Sequence, residues 1–168
     1  FPIPLVDAHG RVRLYDDVVL LEGLQASIDP QAGGGTVALD GRIETLAAAG
    51  EETTLDIRAT DVRFNDHLRT ALDALLHDAG DLYDRLSPTG TAVVNVNVRP
   101  RRQLAGGWSV EVEPRGATMQ WANFPFLLEG LRGTVAVRAS GASCDLAGHH
   151  GDGKLLLRGR VPLAADSP

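Results

Sequence analysis

Val94, Val96 and Val98 alternate with Asn95, Asn97 and Arg99, and the same period of two recurs through most of the chain. Successive side chains of a strand point to opposite faces, so this pattern calls for strands with one apolar and one polar side. Val110 and Val112 alternate with Ser109, Glu111 and Glu113, and Leu55, Ile57 and Ala59 alternate with Thr54, Asp56 and Arg58. Similar stretches cover residues 10–15, 18–21, 36–43, 116–121, 133–138 and 154–161. Turn chemistry separates them at Gly33-Gly34-Gly35, Asp40-Gly41, Ala105-Gly106-Gly107, Pro114-Arg115-Gly116 and Gly151-Asp152-Gly153. The expectation is about nine or ten short strands in antiparallel meander order.

One segment departs from this period. Between Asp66 and Leu86, apolar residues fall at Leu68, Ala71, Leu72, Leu75, Leu76, Ala79, Leu82, Tyr83 and Leu86, three and four apart as on one helical face. Asn65 or Asp66 suits the N-cap, Ser87-Pro88 suits the end, and Gly80 is placed to divide the helix in two. A single amphipathic element covers only part of so large a sheet. Either the sheet folds over on itself, or some of its apolar face is left for another molecule.

The chain also repeats itself. Phe1-Pro2-Ile3-Pro4 through Gly10-Arg11-Val12 recurs as Phe124-Pro125-Phe126-Leu127 through Gly133-Thr134-Val135, at an offset of 123 (124 − 1). Gly33, Gly35, Gly41 and Arg42 recur as Gly151, Gly153, Gly159 and Arg160, at an offset of 118 (151 − 33). The expected organisation is therefore a complete unit over 1–123, with strands in 10–59, the helix at 66–86 and strands in 91–122. Residues 124–168 form the first part of a second unit, packed with it as one continuous domain. Repeat arrays bury surface between neighbours, so adjoining units of the same parent chain are the expected partners.

Composition removes several function classes. A net charge of −6, with Arg99 and Arg101-Arg102 isolated beside Pro100, does not suit nucleic acid, because phosphate binding needs clustered cations. With one cysteine, Cys144, no intrachain disulfide forms. No run of about 18 apolar residues is present. The chain starts at Phe1, which leads us to expect a segment of a longer protein whose membrane anchor lies elsewhere.

Trp121-Ala122-Asn123-Phe124-Pro125-Phe126-Leu127-Leu128, then Leu131-Arg132-Gly133-Thr134-Val135, then His150-Gly151-Asp152-Gly153-Lys154 through Arg160-Val161, resemble the repeating unit of AsmA-like bacterial envelope proteins of the TamB and YhdP type. Residues 60–68 and 86–90 resemble the helical insert of the very large members. The resemblance covers essentially the whole chain and rests on turn and strand patterns. It implies a bridge-like lipid-transfer β-groove in the periplasm, anchored at the inner membrane, along which phospholipids or other envelope lipids move toward the outer membrane.

Constellations that suggest catalysis read more simply as structure. Cys144, Asp145, His149, His150 and Asp152 offer zinc-type ligands, yet the matching turn at Gly33-Gly34-Gly35 has none. His9 beside Asp7, with Ser109 or Ser143, sketches a triad, but the repeat places Arg132 where His9 stands. Asp16-Asp17, Asp78, Asp81 and Asp84 lack the glycine-punctuated loop of a calcium site and the setting of a glycosidase pair. Gly33-Gly34-Gly35 lacks the Lys-Ser/Thr of a phosphate loop.

The expected fold is thus mainly β with one helical insert, a curved antiparallel sheet or β-groove with the amphipathic helix against its apolar side. The expected function is non-catalytic, needing no cofactor or metal: acyl chains bind or pass along one sheet face. The candidate contacts are Leu55, Ile57, Val94, Val96, Val98, Val110, Val112, Trp121, Phe124, Val135, Val137, Leu155 and Leu157. The alternatives are a purely structural spacer or adhesin-type stalk with a sealed core, and a metal-dependent hydrolase at His149-His150. The sequence leaves lipid identity, direction and energy source open.

Overall fold

A computed structural model describes residues 3–44, 52–75, 79–122 and 126–162. The described residues form nine strands, β1 (Leu5–Leu14), β2 (Val18–Ile28), β3 (Thr36–Glu44), β4 (Thr54–Arg63), β5 (Thr91–Val98), β6 (Trp108–Gln120), β7 (Leu127–Arg138), β8 (Gly141–His150) and β9 (Gly153–Val161). Two helices, α1 (Asp66–Leu75) and α2 (Ala79–Leu86), connect β4 to β5. The strands lie in sequence order in one sheet, every neighbour pair antiparallel. Among the described residues β1 and β9 are edges and do not pair with each other, so the sheet is open.

Several strands differ from the sequence reading: β1 begins at Leu5 rather than residue 10, β2 runs to Ile28 rather than residue 21, β4 to Arg63 rather than residue 59, and β7 begins at Leu127 rather than residue 133. The expected strands 109–113 and 116–121 form the single strand β6, which ends at Gln120, because Pro114-Arg115-Gly116 makes a bulge rather than a reversal: the register shifts there and Gly116 has φ of 71°. Residues 141–150, to which the alternation assigns no strand, form β8, whose alternating positions are the small Ala142, Cys144 and Gly148 with only Leu146 as a bulky marker. Asp40-Gly41 likewise lies inside β3. Asp40 Oδ1 accepts the Gly23 N–H at 2.7 Å, and Gly41 sits opposite Leu55.

Register shifts interrupt five of the eight junctions, β1/β2, β2/β3, β4/β5, β6/β7 and β7/β8. Positive φ values at Asp7 (52°), Gly23 (55°), Asp61 (55°), Gly116 (71°) and Gly130 (61°) fall at these shifts. Each bulge bends its strand and increases the local twist, which curves the sheet.

Residues 123 apart occupy corresponding places. Asp7 and Gly130 are both bulge residues, and Gly10 (φ 139°) and Gly133 (φ 121°) both lie tightly against the next strand. A methyl group on Gly10 would meet the Leu24 backbone at 2.7 Å, and one on Gly133 would meet the Asp145 carbonyl oxygen at 2.1 Å. β1 and β7 are six strands apart and so run the same way. The junction between the two expected units falls at 123–125, outside the described residues.

The helical segment is two short helices. Asn65 caps α1, its Oδ1 accepting the Leu68 N–H at 3.0 Å while its Nδ2 donates to the Ala32 carbonyl at 2.8 Å. Gly80 lies within α2 rather than between the helices, and its N–H donates to Asp73 Oδ1 at 2.9 Å. Arg69 grips both oxygens of Asp84 (2.7 and 2.6 Å), tying α1 to α2. The pair packs on one side of the sheet and at one end of it. Leu68 and Leu72 meet Ile28, Ala32 and Val62, and Leu86 joins Phe64 against Ala117, Met119, Leu128 and Leu131.

Candidate functional site

Directly opposed residues in a sheet share a face, so the registers define the two surfaces. From Leu39 in β3 the face runs through Ile57, Val96, Val110 and Val137 to Ala142 and Val161. One step along, it runs through Val37, Ala59, Val94, Val112, Val135 and Cys144 to Gly159. On the other side it reaches Leu24, Leu21 and Val19 in β2 and Val12 and Leu14 in β1. None of these residues is charged or amide-bearing. The opposite surface carries Arg42, Asp56, Arg58, Asn95, Asn97, Glu111, Glu113, Asp145 and Arg158, knitted by bonds such as Arg58 to Asn95, Arg99 to Asp56 and Arg158 to Asp145.

The apolar face is covered unevenly. At the helical end it forms the core, with Ile28, Val62, Ala117, Leu128 and Leu131 buried. Toward the other end Val19, Leu21, Leu39, Ile43, Leu55, Ile57, Val96, Val98, Trp108, Val112, Val135, Val137, Ala142 and Cys144 are half-buried, and among the described residues no helix or second sheet lies over them. At the edges Leu14 is 75 % exposed and Val161 63 %. Nine strands at about 4.8 Å spacing make a trough roughly 38 Å long, more than the ~15 Å depth of one bilayer leaflet's hydrocarbon.

The residues expected to contact lipid divide into groups. Leu55, Ile57, Val96, Val98, Val112, Val135 and Val137 line the open part, half-buried. Val94 and Val110 lie on the same face but are 7 % and 2 % exposed. Leu155 and Leu157 pack against the cluster beside α2. Trp121 stands just past β6 and is exposed, and Phe124 lies outside the described residues. Sequence reasoning missed Val19, Leu21, Leu24 and Leu39, which lie in or beside stretches already read as strands, and the β8 residues Ala142, Cys144 and Leu146, whose alternation is carried mostly by small side chains.

The other constellations do not converge. Cys144 faces the trough while Asp145 and His149 lie on the polar surface, where His149 Nδ1 approaches Glu129 at 3.9 Å. His150 Nδ1 is 2.9 Å from the Leu127 carbonyl. Among the described residues no group of three or more His, Cys, Asp or Glu is placed to hold a metal. His9 contacts the Asp7 backbone carbonyl at 3.2 Å, and Ser109 on β6 is five strands away, about 24 Å. An open depression of about 400 Å³ on the polar side of β1 to β4, lined by His9, Gln25, Thr36 and Arg58 among others, lies apart from the apolar face. No described helix is long and apolar enough to cross a membrane.

Burial pushes the Tyr83 phenol up to about 12, with the Asp66 and Asp84 charges adding to the effect. Its hydroxyl donates to the Asn65 carbonyl at 3.3 Å. The Arg69 hydrogen bond holds the Asp84 carboxyl below its ordinary value. Both groups belong to the helix pair and not to the trough.

The chain matches no protein-family model, no curated protein and no solved structure.

Proposed function

We propose that this chain is a non-catalytic module that holds the acyl chains of phospholipids or other envelope lipids on its apolar sheet face. The observation that carries the reading is the continuity of that face across all nine strands, with the helix pair covering one end only. Burial of apolar area stabilises a bound chain by roughly 25 cal/mol per Å², or about 0.8 kcal/mol per methylene, so cargo is held without a charged anchor. A surface of this kind favours sliding, because successive positions along it are chemically alike.

In the wider proposal the chain is one stretch of a larger periplasmic, inner-membrane-anchored protein, paired with adjoining units and passing lipid toward the outer membrane. The resemblance of residues 121–135 and 150–161 to AsmA-like repeats supports this setting. Purification without detergent, followed by lipid extraction and mass spectrometry, tests it. Lipid recovered in stoichiometric amount is the expected result. An empty chain that also fails to take up a fluorescent fatty acid would leave the spacer reading in its place.

A further inference from the structure

The outer edge of β1 is a row of backbone groups with no partner strand among the described residues. Its inner side is fixed by the Tyr15 N–H donating to the Val18 carbonyl at 2.8 Å. Strand alternation then turns the Leu14 and Val12 amides outward. Leu5, Val12 and Leu14 stand on this edge 43 %, 53 % and 75 % exposed. A ten-residue edge strand with one apolar face and unpaired backbone is a template for pairing.

The fold itself indicates what fits. β7 corresponds to β1 at the offset of 123, and on the flank equivalent to the outer edge of β1 it receives β6. Carried back by 123, the β6/β7 register sets Val110 against Leu14 (137 − 123), Val112 against Val12 (135 − 123) and Met119 against Leu5 (128 − 123). Glu111 falls against Arg13 (136 − 123), and one step on Glu113 falls against Arg11. Within the chain Glu111 faces Ala136 on β7 and Asn95 on β5, so the charge match exists at the β1 edge and not at the internal β6/β7 junction. Arg11 and Arg13 now reach sideways to Glu22 at 4.0 and 3.1 Å, both well exposed. Apolar faces, opposite charges and bulge positions all agree for one partner.

We propose that the outer edge of β1 is the acceptor for a strand of the β6 pattern, supplied by a second unit of this kind and paired in the β6/β7 register. The inference deepens the adjoining-unit part of the function proposed above and is independent of acyl binding.

A fluorescein-labelled peptide of residues 108–120, titrated into the full chain, tests it by anisotropy. Saturable binding is expected, together with slowed hydrogen exchange at the Val12 and Leu14 amides. Val12→Pro removes an outward donor from an edge strand and should weaken binding about tenfold, with circular dichroism reporting that the sheet persists. Arg11→Glu with Arg13→Glu should weaken the native peptide, and a peptide carrying Glu111→Lys and Glu113→Lys should restore binding to that variant. If Val12→Pro unfolds the chain, the charge exchange alone decides. No saturable binding, or binding indifferent to the charge exchange, overturns the proposal. Peptide binding by a chain that takes up no fatty acid would leave the edge assignment standing and remove the lipid reading.

Discussion

Gly159 lies directly opposite Cys144 in the β8/β9 register, and a methyl group built on it would come within 3.7 Å of the Cys144 sulfur. The missing side chain leaves one flank of the thiol open on the floor of the trough, and the chain has no other cysteine.

Cys144 is therefore a native reporter of occupancy. One thiol per chain should react with a neutral reagent in the empty protein, and fatty acid should slow the reaction. Gly159→Val, whose added carbons meet the sulfur at ordinary contact distance, should slow it without any lipid. Equal rates with and without fatty acid, in a chain that binds fatty acid by another measure, would place the cargo elsewhere.

A charge on the open floor should remove lipid and spare the fold. Val96 and Val135 are half-buried, so Val96→Asp or Val135→Asp should cost about 1 to 2 kcal/mol of stability while copurifying lipid falls sharply. Asn95→Asp, one residue away on the polar face beside Arg58, should leave lipid content unchanged. Urea unfolding and lipid mass spectrometry on the same preparations separate the two effects.

Gly133→Ala should be far more damaging than Gly151→Ala. The first combines φ of 121° with a methyl group 2.1 Å from the Asp145 carbonyl oxygen, and about 2 to 4 kcal/mol is expected. The second has φ of 54° in open space, and about 1 kcal/mol is expected. Gly10→Ala should resemble Gly133→Ala, since it meets the Leu24 backbone in the corresponding place. Urea midpoints measure all three.

The helix pair should loosen at both extremes of pH. Asp84 has its pKa lowered in the folded chain, so its contribution is present above the unfolded carboxyl value and is lost as pH falls through the folded one. Tyr83 is raised, so its contribution is whole below the ordinary phenol value of 10.0 and disappears as pH rises toward about 12. Asp84→Asn should abolish the acid-side dependence measured by helical circular dichroism. Ultraviolet titration of a Tyr15→Phe chain should show the late phenol ionisation of Tyr83 alone.

Much of this architecture was legible where alternation is carried by bulky residues. Val94-Val96-Val98 and Leu55-Ile57 announced β5 and β4, and the spacing from Leu68 to Leu86 announced helices. β8 stayed hidden because Ala142, Cys144 and Gly148 alternate without the size contrast that marks a face. β6 looked like two strands because Pro114 and Gly116 are turn residues, and only the register on β7 distinguishes a bulge from a reversal. The openness of the apolar face was not legible at all. Period-two patterning is the same whether the apolar side meets a helix, a second sheet or a lipid, and it is the position of Leu68, Leu72 and Leu86 over one end that decides how much remains bare.

From β1 to β7 is six strand-to-strand steps, and that number is even. Going from one to the other is a translation without inversion, so a ribbon lengthened by the same step would carry every helical pair along a single rim and leave the opposite rim bare throughout. Traffic on such a ribbon would not be confined to its tips. A molecule would be able to step on or off anywhere along the uncapped side.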